Sequence, residues 1–302
     1  MVCVINIIMV KKRVVAGVLF SIVVVFAAIG LYFSLNLDSE SRITGYATLL
    51  KSYTGASNPC AVVPEGIVHW WAAEDKGKDK INPYYSIKLD NDVKYVPGIT
   101  GRGFGYDGKR VYGLINNLNF AKTYPKSFTI EAWVKPEVLD GYMPIIAAWD
   151  DNSKNKRQDA SRVLSLIVNY DPNDGNFDGY STIRFDTSPD GSFYSDNSVE
   201  GGAVKVKEWN HVAVTYSYNA AKNVAVSTLY VNGEEVDSKE LGHPGLFVNQ
   251  NTPTYLGYSP EWGGSPKYFW GTLDEISIYN RVLSANEIKS IQNIGYSGKC
   301  EI

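Results

Sequence analysis

The feature that most limits what this chain can fold into is the texture of residues 60–302. Short apolar or alternating runs there are broken repeatedly by clusters of Gly, Pro, Asn and Asp. Such runs are short for helices and bounded by turn formers, which is the pattern of an all-β sandwich or barrel. The expected strands are Gly66–Ala72, Ser127–Lys135, Pro144–Trp149, Val163–Tyr170, Ser181–Asp186, His211–Ser217, Ala225–Val231, Thr254–Tyr258 and Thr272–Tyr279. In the second, Phe128, Ile130, Ala132 and Val134 share one side while Thr129, Glu131 and Trp133 share the other, which predicts one dry face. Asn232–Gly233 predicts a two-residue hairpin, because a type I′ turn needs positive φ at both positions. Pro189–Gly191 predicts a second turn. One helix is expected over Ser284–Gln292, where Ser284 and Glu287 have capping-box spacing.

Ahead of this region, Val14–Leu37 runs for 24 residues without a charge. As a helix it would reach about 36 Å, enough to cross a bilayer with some tilt. Lys11, Lys12 and Arg13 precede it, and Asp38 and Glu40 follow. The positive-inside rule therefore places residues 1–13 in the cytoplasm as a basic tail and the rest of the chain outside. The expectation is a single-pass protein of the cell membrane: residues 14–37 are the transmembrane helix, 38–59 a stalk and 60–302 one domain. A cleaved secretory signal is the alternative, but its apolar core is usually about 7–15 residues long and ends in a small-x-small site, which Leu35–Leu37 lacks. Met9 would also make an ordinary start, and Cys3 would then not exist.

Formal net charge is -3, with no basic run beyond Lys11–Arg13, so the footprint of a nucleic-acid binder is missing. Cys60 and Cys300 bracket the strand-rich region. Outside the cell, disulfides persist, and these two are expected to pair as a clasp. Two free thiols are the alternative. No CxxC is present, so a redox site is not indicated.

The segments Cys60–Trp71, Val96–Gly108, Phe128–Pro136, Trp209–Tyr216, Leu229–Val236, Gly271–Ile288 and Asn293–Cys300, in that order, resemble the laminin-G-like module of the concanavalin A-like lectin/glucanase superfamily found in large microbial extracellular proteins. The resemblance covers residues 60–302 and implies a two-sheet antiparallel jelly-roll sandwich. It also implies a module that binds glycans or other proteins, although one sandwich serves many roles. Many relatives follow the Phe-Asp-Gly motif with an acidic pair; here Tyr106–Gly108 is followed by Lys109 and Arg110. Such sandwiches can hold a structural Ca2+, and the resemblance makes Asp274, on the last long strand, the expected metal ligand. A buried acid accepting loop backbone amides is the alternative reading of Asp274.

Catalytic patterns are weak. A retaining glycosidase needs two carboxylates about 5–5.5 Å apart. The Glu-x-Asp-x-x-Glu strand that usually carries them is missing; Asp274 and Glu275 are adjacent and expected on opposite faces, and Glu131 has no acid two residues away. The three His, at 69, 211 and 243, are not in metal-ligand spacing; the first two are expected to be structural and the third solvated. Gly101–Gly105 reads as a glycine-rich turn. Asp171–Gly179 is rich in oxygen donors but breaks the EF-hand alternation, so a solvated turn is expected.

The aromatics remain. Trp70, Trp71, Trp133 and Trp209 fall on core positions of the resemblance and are expected to pack. Tyr194, Tyr258, Trp262 and Tyr268 stand in loops among Gly, Pro and Ser, where rings on rigid loops suit stacking on a sugar or a protein hot spot. Folding back over the sandwich edge is the alternative. The chain is thus expected to be a membrane-anchored, non-enzymatic extracellular binding module. A structural or cell-envelope assembly component and a glycoside hydrolase are the competing readings.

Overall fold

Strand β6 (Ser127–Pro136) shows how the sequence pattern becomes architecture, since its row Phe128, Ile130, Ala132 and Val134 is buried in the main core. The computed structural model describes residues 60–90, 92–115, 117–138, 140–149, 162–170, 180–248, 252–262 and 265–300. Val14–Leu37, its flanks and Asp171–Gly179 lie outside the described residues. Among the described residues no helix is long and apolar enough to cross a membrane.

The larger sheet has eight strands, numbered here along the chain. β13 (Glu234–Glu240), β12 (Val224–Val231), β11 (Asn210–Asn219), β6, β17 (Trp270–Tyr279), β4 (Arg102–Asp107) and β3 (Lys94–Pro97) lie side by side. β1 (Ile67–Trp71) pairs with the part of β17 beyond β4. The smaller sheet has seven strands, in the order β10 (Ser198–Lys205), β9 (Tyr180–Thr187), β8 (Leu164–Asn169), β7 (Tyr142–Ala148), β14 (Thr254–Leu256), β5 (Gly113–Ile115) and β2 (Ile87–Leu89). β15 (Tyr258–Trp262) and β16 (Ser265–Tyr268) form a separate ribbon.

The facing rows of the two sheets make the core. Phe104, Phe128, Val214, Leu229 and Ile276 meet Ile146, Leu166, Ile183, Phe185 and Leu256. Each large apolar side chain so buried contributes about 1.5–3 kcal/mol. Hairpin β12–β13 turns at Asn232 and Gly233, both with positive φ, as expected. Helix α1 (Phe120–Thr123) is one short turn. Helix α2 (Ala285–Ile294) starts with the full capping box of Ser284 and Glu287. Cys60 and Cys300 are joined by a disulfide, beside a parallel bridge between Ala61 and Lys299.

Three local expectations fail for tertiary reasons. First, Thr254–Tyr258 is not one strand. Gly257 has φ +69, and a Cβ there would lie 2.4 Å from the Tyr106 ring, so the chain turns between β14 and β15. Second, the glycines of Gly101–Gly105 lie mostly within β4 rather than a turn. A Cβ on Gly103 would meet the Thr272 methyl at 2.5 Å, and its absence lets the strands close up. Third, β6 has no wet face: Thr129 and Glu131 are fully buried and Trp133 nearly so. The α2 region covers them, with the Thr129 hydroxyl donating to Arg281 O and accepting from Leu283 N.

Candidate functional site

On the smaller sheet, Tyr255 of β14 sits opposite Leu114 on β5 and Ala147 on β7. The Gly257 turn then sends the chain into the ribbon, where Tyr258 and Tyr268 are cross-strand partners with ring centroids 4.8 Å apart. Tyr112 stacks on Tyr258 at 4.9 Å, while Tyr255 meets these two rings edge-on at 5.6 and 5.0 Å. All four rings are half-buried. Burial, reinforced by the neighbouring tyrosines, raises the Tyr258 pKa and keeps its hydroxyl a neutral donor. Two of the expected ligand residues are thus brought together, and Tyr112 and Tyr255 join them unforeseen. In an unbroken strand Tyr255 and Tyr258 would point to opposite faces; the Gly257 turn overrides that parity.

Ser259 on the ribbon donates to Trp149 O at 2.9 Å, which ties the tyrosines to the middle of the sheet. Trp149 packs with Ala147 and Ile167, and Phe193, which is 48% exposed, lies edge-on to it at 6.5 Å. Further along, the Arg184 guanidinium donates to both oxygens of Asp186 at 2.8–3.1 Å and stands over the Phe193 ring. Burial raises the Asp186 pKa despite that pairing. Asn169 and Thr182 each donate to Glu200 at 2.6 Å. Rings and oriented polar groups therefore follow one another over this face. Tyr194 is not part of the quartet: it stacks on His243 at 3.8 Å and donates to Asp190 at 2.8 Å. Trp262 closes β15, with its side chain outside the described residues.

The acidic residues are arranged differently from the expectation. A bulge between Asp274 and Ser277, with Glu275 at φ 53, interrupts the strict alternation along β17. Leu273 and Ile276 enter the core, and both Asp274 and Glu275 turn outward, so the expectation of opposite faces is corrected. Asp274 accepts backbone N–H groups from Ile99, Thr100 and Glu275 at 2.9, 3.2 and 2.8 Å. Burial and the Glu275 carboxylate raise its pKa to about 8 against the pull of the Thr100 amide. The alternative reading of Asp274, a buried acid accepting loop backbone amides, is the one this geometry matches. Among the described residues there is no cluster of His, Cys, Asp or Glu arranged to hold a metal.

Glu275 and Glu131 converge instead on one ammonium. Lys299 Nζ lies 3.2 Å from Glu275 and 2.9 Å from Glu131, the latter an ion contact rather than an aligned hydrogen bond, and His211 Nε2 lies 3.1 Å from Glu131. Burial opposes ionisation of Glu131, but Lys299 and His211 outweigh it and lower the pKa. His69 is buried too, with Asp79 at 2.6 Å on one ring nitrogen and the Tyr124 hydroxyl at 2.6 Å on the other. Burial raises the Tyr124 pKa, the reverse of what a nucleophile needs.

Two antiparallel sheets packed in this way, with the larger closed by a C-terminal helix, define a class. The chain belongs to the concanavalin A-like lectin/glucanases superfamily, whose laminin-G model matches residues 107–289. Paraclostridial mosquitocidal protein 1 of Paraclostridium bifermentans is 24% identical over 225 residues, 72% of this chain and 16% of that protein. The chain therefore spans a small part of the curated relative it matches. Domain 4 of AbnA, a GH43 extracellular arabinanase from Geobacillus stearothermophilus solved with arabinotriose, superposes with TM-score 0.53 at 16% identity, covering 78% of this chain and 100% of that domain. The binding domain of the mosquitocidal protein gives 0.51 at 18%, covering 76% of this chain and 52% of that one. The binding domain of botulinum neurotoxin serotype D gives 0.51 at 13%, covering 76% and 51%. At these identities the likeness is one of fold.

Proposed function

We propose that this protein is a membrane-anchored extracellular module that binds glycan or protein ligands and performs no reaction. Val14–Leu37 is its anchor, residues 1–13 its cytoplasmic tail, 38–59 its stalk and 60–302 its binding domain. The observation that carries the binding reading is the quartet Tyr112, Tyr255, Tyr258 and Tyr268, half-buried rings gathered on one sheet face. Such rings offer flat apolar faces for sugar C–H groups and hydroxyls for their polar edges. Supporting this are the family, the arabinotriose held by domain 4 of the arabinanase and the binding domains of the toxins. Glu131 and Glu275 are both engaged by the buried Lys299 ammonium, which favours binding over hydrolysis. A glycan array and a surface-protein pull-down with the full chain test the proposal. The expected outcome is a ligand whose capture fails with Tyr258→Ala. Silence in both assays sinks it and leaves the assembly role.

A further inference from the structure

A recess of about 410 Å³ lies where the ends of β6, β10 and β11 meet the C-terminal end of α2. Small-molecule sites usually measure about 300–1,000 Å³. Three rings line it. Trp133 forms the back, Trp209 is half-buried at the side and Tyr296 stands at the mouth, 79% exposed. None of the three belongs to the apolar clusters that make up the core. Trp133 is buried, as a packing residue should be, and Trp209 is half-buried, and both border the recess.

Amides fill the space between the rings. Asn210 donates to Lys205 O and Glu208 O at 3.1 and 2.8 Å, and Asn232 accepts from His211 N at 2.9 Å, which fixes one wall. Gln292 and Asn293 on the last turn of α2 line the recess as well, and their side-chain amides, like the Trp209 indole N–H, have no hydrogen-bond partner among the described residues. Lys205 and Glu208 lie 3.9 Å apart with both side chains exposed, so their charges cancel at the edge.

We propose that this recess is a second binding site, for a neutral oligosaccharide. A sugar hydroxyl both donates and accepts, and only side-chain amides and hydroxyls answer both roles without bringing charge. Indole and phenol faces match the C–H faces of a pyranose or furanose ring. A phosphate, sialic acid or uronic acid would need an unpaired cation, and the one lysine here has its acid. The site is built from elements other than the tyrosine quartet, so it stands without it.

The test is calorimetric titration of the full chain with neutral arabino-, xylo-, gluco- and manno-oligosaccharides, with a sialylated trisaccharide as charged comparator. At least one neutral oligosaccharide is expected to bind, and Trp209→Ala is expected to weaken it at least about tenfold, as a hot-spot truncation does. The double change Gln292→Ala and Asn293→Ala, on a partly exposed helix end, should weaken it several-fold and carries the test if Trp209→Ala does not fold. Tyr258→Ala should leave this binding event in place. Absence of binding by every neutral oligosaccharide, or binding untouched by the Gln292 and Asn293 changes, overturns the proposal. Neutral binding lost with Tyr258→Ala alone overturns it too, while leaving the tyrosine face as the ligand site.

Discussion

The outward faces of the two sheets carry opposite chemistry. On the larger sheet, Glu131, Glu275, Lys299 and His211 are ionisable yet buried, and close on one another beneath the C-terminal segment. On the smaller sheet, the exposed margin is made of uncharged tyrosines and Phe193, with the charged Arg184–Asp186 pair locked behind them. A buried charge cluster of this kind joins chain segments and leaves little capacity for a ligand from solvent. Rings whose edges stay in water have that capacity. In this sandwich the densest acid–base geometry is a structural clamp, and the binding chemistry proposed above rests on neutral groups.

The largest expected effect comes from breaking the clamp. Lys299→Met removes the shared ammonium and leaves two buried carboxylates facing each other, which should cost about 3–5 kcal/mol of stability. Denaturant unfolding measures it, and a loss below about 1 kcal/mol would show that water or relaxation replaces the lysine. Ligand binding by the folded fraction should be unchanged. Next, replacing Cys60 and Cys300 by Ser opens the clasp across a separation of 240 residues. The loop-entropy model gives about 5 kcal/mol for so long a closure, but measured values usually fall at about 2–4 kcal/mol. Recovery of two alkylated thiols from protein folded in an oxidising compartment would remove the basis for that figure.

The ring face should behave in the opposite way. Tyr258→Ala is expected to cost about 2 kcal/mol or more of binding and little stability, read by ligand titration and thermal melting on the same sample. Trp262→Ala gives a parallel test for the ribbon end: a loss of about 3–5 kcal/mol of stability would make that ring a lid on the sandwich rather than a ligand platform. The last effect is a slope rather than a single loss, and concerns pH. Asp274 holds its proton up to about 8 in the folded protein, against 3.8 in the unfolded chain. Its contribution is whole below the unfolded value and is lost as pH rises through the folded one, with a slope of at most about 1.4 kcal/mol per pH unit. Asp274→Asn should flatten that slope between pH 5 and 8; an unchanged profile would mean that another group sets it.

Much of this was legible residue by residue. The Asn232–Gly233 hairpin, the Ser284–Glu287 capping box, the inward row of β6 and the pairing of Cys60 with Cys300 follow from turn geometry, local hydrogen bonding, a period of two and compartment chemistry. The hairpin and the cap do not depend on which distant segment lies next door, whereas the disulfide joins segments 240 residues apart. Of the expected site residues, Tyr258 and Tyr268 met in the ribbon because an antiparallel pair sets partners opposite each other. The rest required the fold. Sequence parity separates Tyr255 from Tyr258 until the Tyr106 ring excludes a Cβ at Gly257, and it separates Asp274 from Glu275 until a bulge opens in β17. Sequence places Glu131 off the dry row of β6, and only the fold lays Lys299, from the far end of the chain, over it. Trp209 reads as core until α2 ends beside it and leaves a recess. Local sequence thus determined the turns, the cap and the dry row, because a residue's own backbone and its near neighbours decide them. The burial of charge and the exposure of rings were decided by tertiary structure alone, because each depends on what covers a residue, and the covering segments here come from far along the chain.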